Sequence, residues 1–370
     1  MEVNFRQLSA SKSVIQLMQR FLSLFLIVSI ALVSSCKEDD DDKYVTTPYE
    51  LQIPKGLPPM DMFIPLDNQM TVEGVALGRK LFYDPLLSDD NTQACADCHK
   101  QESGFSDPRQ FSEGIDGSIG TRQSMTLINL GWNQFGFFWD GRAPTLEDLV
   151  FEPVRNPIEM NTTWPEVEVK LNASNDYVEL FTQAYDVDVI DSVHVAKAIA
   201  QFIRTLISGN SKFDKWYNQQ AIQLTDAETR GFILFNGEGA DCFHCHGLGG
   251  LITDNGFHNN GLDTEFSADE GRFIVTGDAA DKGKFRTPTL RNIELTAPYM
   301  HDGRFFTLEQ AINHYSEEVK ESETLDPLMK LVGEGGAQLT PNEKQDLIAF
   351  LKTFTDEEFL SNLEFSNPNP

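Results

Sequence analysis

Cys95-Ala96-Asp97-Cys98-His99 and Cys242-Phe243-His244-Cys245-His246 are the two stretches that decide how this chain folds. Each is a C-x-x-C-H motif. Two thiols at that spacing reach the two vinyl groups of one haem, and the following His presents its imidazole to the iron. A thioredoxin-type redox pair would sit before a helix in a βαβ context, and no such strand pattern is visible. A zinc site would bring C-x-x-C pairs together as four ligands. Two motifs, behind an export signal and with no cysteine left over for a disulfide, read as two covalently bound haems c.

The chain has 370 residues and five cysteines. Its length admits two or three domains. The fifth cysteine is Cys36. Arg6, Lys12 and Arg20 form a basic stretch, and Phe21 to Val33 is an apolar run too short for a spanning helix of ~20 residues. Val33-Ser34-Ser35-Cys36 then resembles a bacterial lipobox, whose Cys is acylated. Residues 1–35 are expected to be a lipoprotein signal peptide and Cys36 the lipidated residue. Residues 36–60 are expected to be an acidic, disordered tether, opening with Lys37-Glu38-Asp39-Asp40-Asp41-Asp42. The expected location is outside the cytoplasm, as a periplasmic or outer-membrane lipoprotein with surface exposure allowed. The lipid anchor would be the only membrane contact. The formal charge of −28 repels nucleic acid and favours basic partners, although solubility alone also accounts for it.

The two motifs sit in a longer repeat. Gly78-x-x-Leu81-Phe82 precedes the first and Gly231-x-x-Leu234-Phe235 the second. Thr126-Leu127-x-Asn129-Leu130 is echoed by Thr289-Leu290-x-Asn292-Ile293, and Asp140-Gly141-Arg142-x-x-Thr145-Leu146-Glu147 by Asp302-Gly303-Arg304-x-x-Thr307-Leu308-Glu309. The common order implies duplicated units. Thr225-x-x-Glu228, Thr307-x-x-Gln310 and Thr340-Pro341-x-Glu343 read as capping boxes. Ala198, Phe202 and Leu206 stripe a helix from about 192 to 208, and Leu347, Phe350, Leu351 and Phe354 another. Ser103 to Gly120 and Gly247 to Gly283 read as loops. The expected fold is all-α: two cytochrome c-like domains with long loops, each wrapped around one c-type haem. Residues 61–220 would form the first, 221–358 the second, and 359–370 a loose tail.

Each iron takes one His from its motif, so the sixth position separates their roles. No His lies between His99 and His194. Eight residues after Thr307 comes Tyr315, and eight after Thr145 comes Pro153. Tyr can ligate iron through its phenolate and Pro cannot. The second haem is therefore expected to be closed by Tyr315 and the first to be open, although Tyr315 also fits an ordinary amphipathic helix position. His314 is a rival ligand about 100° around the helix. His194, His244 and His258 read as structural. Glu159, six residues beyond Pro153, is a candidate acid/base group for peroxide at an open iron.

Residues from about Thr71 to Thr355 resemble the bacterial diheme cytochrome c peroxidase family, which includes MauG-type enzymes. The resemblance rests on Phe137-Phe138-Trp139-Asp140-Gly141-Arg142, Pro157-Ile158-Glu159-Met160, Thr287-Pro288-Thr289-Leu290-Arg291-Asn292 and Thr296-Ala297-Pro298-Tyr299-Met300-His301-Asp302-Gly303-Arg304. It implies a peroxide-reactive first haem, an electron-receiving second haem, Trp139 between them and Glu159 as the distal carboxylate. It also implies one calcium, with Thr296 and Pro298 as carbonyl ligands and Gln123 where an Asn would stand. The chain departs from classical peroxidases in three places. No His occurs near Ile115, Tyr315 replaces a Met ligand as in MauG-type enzymes, and Leu149 replaces a distal Gln.

The expected function is reduction of hydrogen peroxide to water at the His99 haem. Electrons would come through the His246 and Tyr315 haem from an external donor such as a small basic cytochrome c. Oxidation of a partner protein's side chains, as in MauG, is one alternative, and a non-catalytic diheme electron carrier is another. A homodimer is compatible with either catalytic reading.

Overall fold

The computed structural model describes residues 44–58 and 62–368. The signal segment, Cys36 and the acidic run fall outside the described residues. Secondary structure is helical apart from one two-residue antiparallel pair, β1 (Phe257–His258) with β2 (Phe285–Arg286), and isolated bridges. No helix among the described residues is long and apolar enough to cross a membrane.

Each half is organised on a helix crossing. In the first, α1 (Val72–Phe82) packs on α3 (Ser192–Thr205), with α2 (Leu146–Arg155) also against α3. In the second, α4 (Asp226–Phe235) packs on α6 (Pro341–Lys352), with α5 (Leu308–Asn313) also against α6. The repeated glycines make both crossings possible. A Cβ on Gly78 would run into the carbonyl of Ala198, and one on Gly231 into the carbonyl of Asp346. Thr71, Thr145, Thr225, Thr307 and Thr340 each cap a helix by accepting a backbone N–H. Such a cap contributes about 1 kcal/mol.

The repeat is also visible in the backbone. Phe105 and Ile252 hold φ of +56° and +55°, and Asn129 and Asn292 hold +58° and +57°. Thr126 Oγ1 donates to Gly104 O, and Thr289 Oγ1 to Leu251 O, both at 2.6 Å. Phe137 bridges Ala143 as Tyr299 bridges Phe305, each across a glycine at positive φ, Gly141 and Gly303. Positive φ is uncommon for a residue with a Cβ, so paired occurrences at matching places mark one turn design used twice.

Three boundaries differ from the sequence reading. The tether is expected to reach residue 60, but 45–58 are folded in. Tyr49 N donates to Met70 O at 2.9 Å, Trp132 Nε1 donates to Pro58 O at 2.8 Å, and Leu57 is buried. The change of core comes before residue 220: Leu206 belongs to the first apolar cluster, while Phe213 and Trp216 belong to the second. The tail is not loose. Phe359 and Phe365 join the first core, Phe359 against the ring of Phe105, and Arg79 and Tyr83 of α1 and the adjoining turn donate to the carbonyls of Ser366 and Phe365. Burying each Phe contributes about 1.5–3 kcal/mol, enough to hold a short terminal segment. Phe359, Phe365 and Ser366 thus close on the first half.

Candidate haem centres

Two cavities open beside the two motifs. Cys95, Cys98 and His99 line the first, of about 580 Å³. Cys242, Cys245 and His246 line the second, of about 260 Å³. His99 Nδ1 donates to Phe105 O at 3.0 Å, and His246 Nδ1 to Ile252 O at 3.3 Å. These bonds fix the tautomer and leave Nε2 as the acceptor nitrogen, the state a ligating imidazole needs; in His99 that nitrogen lies 3.4 Å from Ser124 Oγ. Burial holds both rings below the ordinary His range, His246 at about 4, so both are neutral. Burial likewise pushes the thiols of Cys95, Cys242 and Cys245 up to about 12. A redox-active C-x-x-C pair requires the opposite shift. Protonated thiols beside a neutral, oriented imidazole in a cavity fit haem attachment.

The cavities differ where the repeat pairs Pro153 with Tyr315. Pro153, inside α2, lines the first; Tyr315 lines the second. Tyr315 sits where α5 widens into a π-helical turn, His314–Glu318, a distortion frequent at functional sites. The turn sends the neighbours apart. His314 is buried with Nε2 on the carbonyl of Asn260 at 3.1 Å and does not line the cavity. Burial pushes the Tyr315 phenol up to about 12, and Asn260 Nδ2, donating to its oxygen at 3.0 Å, pulls the other way. Among residues lining the first cavity, His99 is the one histidine. Ile115 spends its amide on Glu159 O at 3.1 Å.

Glu159, Leu149 and Trp139 line the first cavity. Burial pushes the Glu159 carboxyl above the usual carboxylate range, opposed by Asn156 Nδ2, which donates to Oε1 at 2.6 Å, and by Arg142. Trp139 lines both cavities, its Nε1 donating to Gln123 O at 2.8 Å. Gln123, Thr296 and Pro298 all line the second cavity. The Gln123 amide nitrogen donates to Ser106 Oγ and Asp107 O, so its amide oxygen is the end left for a cation. No donor among the described residues reaches the carbonyls of Thr296 or Pro298.

His194 and His244 pair with Asp191 and Asp241. His258 lies between Asp254 (2.9 Å) and Asp326 (2.6 Å), which raise it to about 9 and hold it as a cation.

Several site residues carry no local sequence signal. Ser267 to Glu270 and Ile274, from the second half, line the first cavity. They are tied there by Arg122, which grips Asp269 at 2.7 Å and Asp140 at 2.6 Å. Asn260 at Tyr315, and Arg286 between the cavities, likewise carry no local signal. Both lie in or beside stretches read only as loop.

A family model described as di-haem cytochrome c peroxidase matches residues 72–221. Methylamine utilization protein MauG of Methylorubrum extorquens is 36% identical over 294 residues, spanning 79% of this chain and 81% of the relative. Cytochrome c551 peroxidase of Nitrosomonas europaea is 34% identical over 285 residues, spanning 76% and 80%. Among solved structures, a MauG-like protein associated with microbial copper homeostasis superposes with a TM-score of 0.79 at 37% identity, covering 86% of this chain and 99% of that one. The diheme peroxidase BthA from Burkholderia thailandensis shares the fold, with a TM-score of 0.69 at 21% identity. With its two haem-attachment motifs, the chain belongs to the di-haem cytochrome c peroxidase and MauG family, and it is an oxidoreductase of that type.

Proposed function

We propose that this protein reduces hydrogen peroxide to water in the first cavity, using electrons relayed through the second from an external donor such as a small basic cytochrome c. The observation that carries the reading is the asymmetry of two otherwise repeated cavities. One offers Pro153 and the buried Glu159 carboxyl, and the other offers Tyr315 at the position equivalent to Pro153.

Bound haem supplies the redox chemistry that splits the peroxide O–O bond. The chain's own residues supply the rest. Asn156 holds Glu159 Oε1, leaving the other carboxyl oxygen to take a proton from one peroxide oxygen and return it to the departing one. A carboxyl raised by burial is better matched to that exchange near neutral pH than an ordinary one. Trp139 lines both cavities with its ring anchored by Gln123 O, which supports its role as the bridge for electrons. Tyr315 would hold the second iron in its ferric state. Gln123, Thr296 and Pro298 would offer oxygen atoms to a calcium beside that bridge, where oxygen ligands suit the ion. Export with a lipid on Cys36 belongs to the same reading.

Steady-state turnover of peroxide with reduced cytochrome c tests it. Rapid oxidation of the donor is expected, and its complete absence would overturn the peroxidase reading. Tyr315 in the second cavity favours one other reading, a MauG-type oxidase drawing electrons from a partner protein's side chains, which predicts peroxide reactivity without donor turnover. Membership in a family of oxidoreductases leaves the pure electron carrier without support.

A further inference from the structure

Among the described residues three arginines are buried: Arg204, Arg286 and Arg291. Arg204 meets Glu147 at 2.9 Å and Arg291 meets Asp214 at 2.8 Å. Arg286 has no such partner. Its Nε donates to Phe138 O at 3.3 Å, Nη1 to Asn255 Oδ1 at 3.0 Å and Nη2 to Met125 Sδ at 3.4 Å. None of these acceptors is an anion, and sulfur is a weak one. A guanidinium carries five N–H groups, so two remain without an acceptor. Among the described residues no carboxylate forms an ion pair with it, and burial alone lowers it to about 10. It is 4% exposed. A buried, unpaired cation is strongly destabilising, so a fold that keeps one is built to receive an anion there.

Location identifies the anion. Arg286 lines both cavities, and its own backbone N–H donates to Trp139 O at 2.8 Å. The bodies expected in those cavities are haems, and each haem carries two propionate carboxylates. A planar fork of donors suits carboxylates. We propose that Arg286 is the shared counter-ion for propionates of both haems, a positioning residue that ties the two groups together on either side of Trp139. The proposal rests on the presence of two haems and not on the peroxidase reading.

The test compares Arg286→Gln and Arg286→Lys with the wild-type holoprotein, after covalent haem content has been matched by pyridine haemochromogen spectra. Resonance Raman reads the propionate-bending bands of each haem, and a redox titration reads both midpoint potentials. In Arg286→Gln both sets of bands should shift and both potentials should fall, because a positive charge that favours electron uptake is gone. A tenfold change in the equilibrium is about 59 mV for a one-electron couple. Arg286→Lys, which keeps the charge, should recover most of the potential. Should Arg286→Gln fail to take up haem, Asn255→Asp takes its place. It sets a carboxylate beside Nη1 and should draw the guanidinium away from both haems, with the same band shifts. Bands unchanged at both haems overturn the proposal, and bands changed at one haem only overturn the shared role.

Discussion

Replacing Glu159 by Gln separates proton handling from geometry. The amide is isosteric and its oxygen still accepts the Asn156 hydrogen bond that now reaches Oε1 at 2.6 Å, so the cavity wall should stay in place. What disappears is a carboxyl that can take a proton and give it back. Such a group contributes about 10²–10⁴ in rate, or about 2.7–5.4 kcal/mol at 1.36 kcal/mol per tenfold. Stopped-flow mixing of oxidised protein with peroxide, followed in the Soret band, should show the peroxide step slowed by at least about a hundredfold at unchanged haem content. The pH profile carries the same signature. Deprotonated Glu159 is the form that accepts a proton, so the wild-type rate should drop as pH falls through its pKa. Burial raises that pKa, which places the drop above the ~4.3 of an unperturbed Glu. The variant should lose this limb. A rate within about threefold of wild type, with the acid limb intact, would refute the role of Glu159.

Tyr315→Phe should alter the optical and EPR spectrum of one haem and leave the other unchanged; two unchanged spectra would remove Tyr315 as a ligand. Gly231→Ala should lower stability by about 1–3 kcal/mol through overpacking, net of up to ~1 kcal/mol gained in helix propensity, because its Cβ meets the carbonyl of Asp346. Gly78→Ala should do the same against Ala198. Thermal unfolding of the holoprotein checks both, and an unchanged midpoint would contradict the crossing geometry.

Local chemistry was the legible part. The two C-x-x-C-H motifs, the threonine caps and the repeated glycines each act within a few residues of themselves, and the structure gives each a specific contact. The features that escaped depend on distant partners. Phe365 packs into the first core, and Tyr83, 282 positions earlier, donates to its carbonyl. Residues 45–58 are held by Met70 and Trp132, not by any pattern of their own. The wall that the second half lends to the first cavity is fixed by Arg122 to Asp269, 147 positions apart. Arg286 reads in sequence like any other arginine, and only burial between two cavities sets it apart. The order of the repeated motifs foretold the asymmetry of Pro153 and Tyr315 but not the π-helical turn that aims Tyr315 into its cavity and His314 away from it.

The central claim is that one haem is open to peroxide while the other is closed. EPR of the oxidised holoprotein, recorded before and after one equivalent of peroxide, tests it most directly. The account predicts a high-spin ferric signal from one haem beside a low-spin signal from the other, with the high-spin signal lost on peroxide addition. Two low-spin signals that peroxide leaves untouched would contradict it.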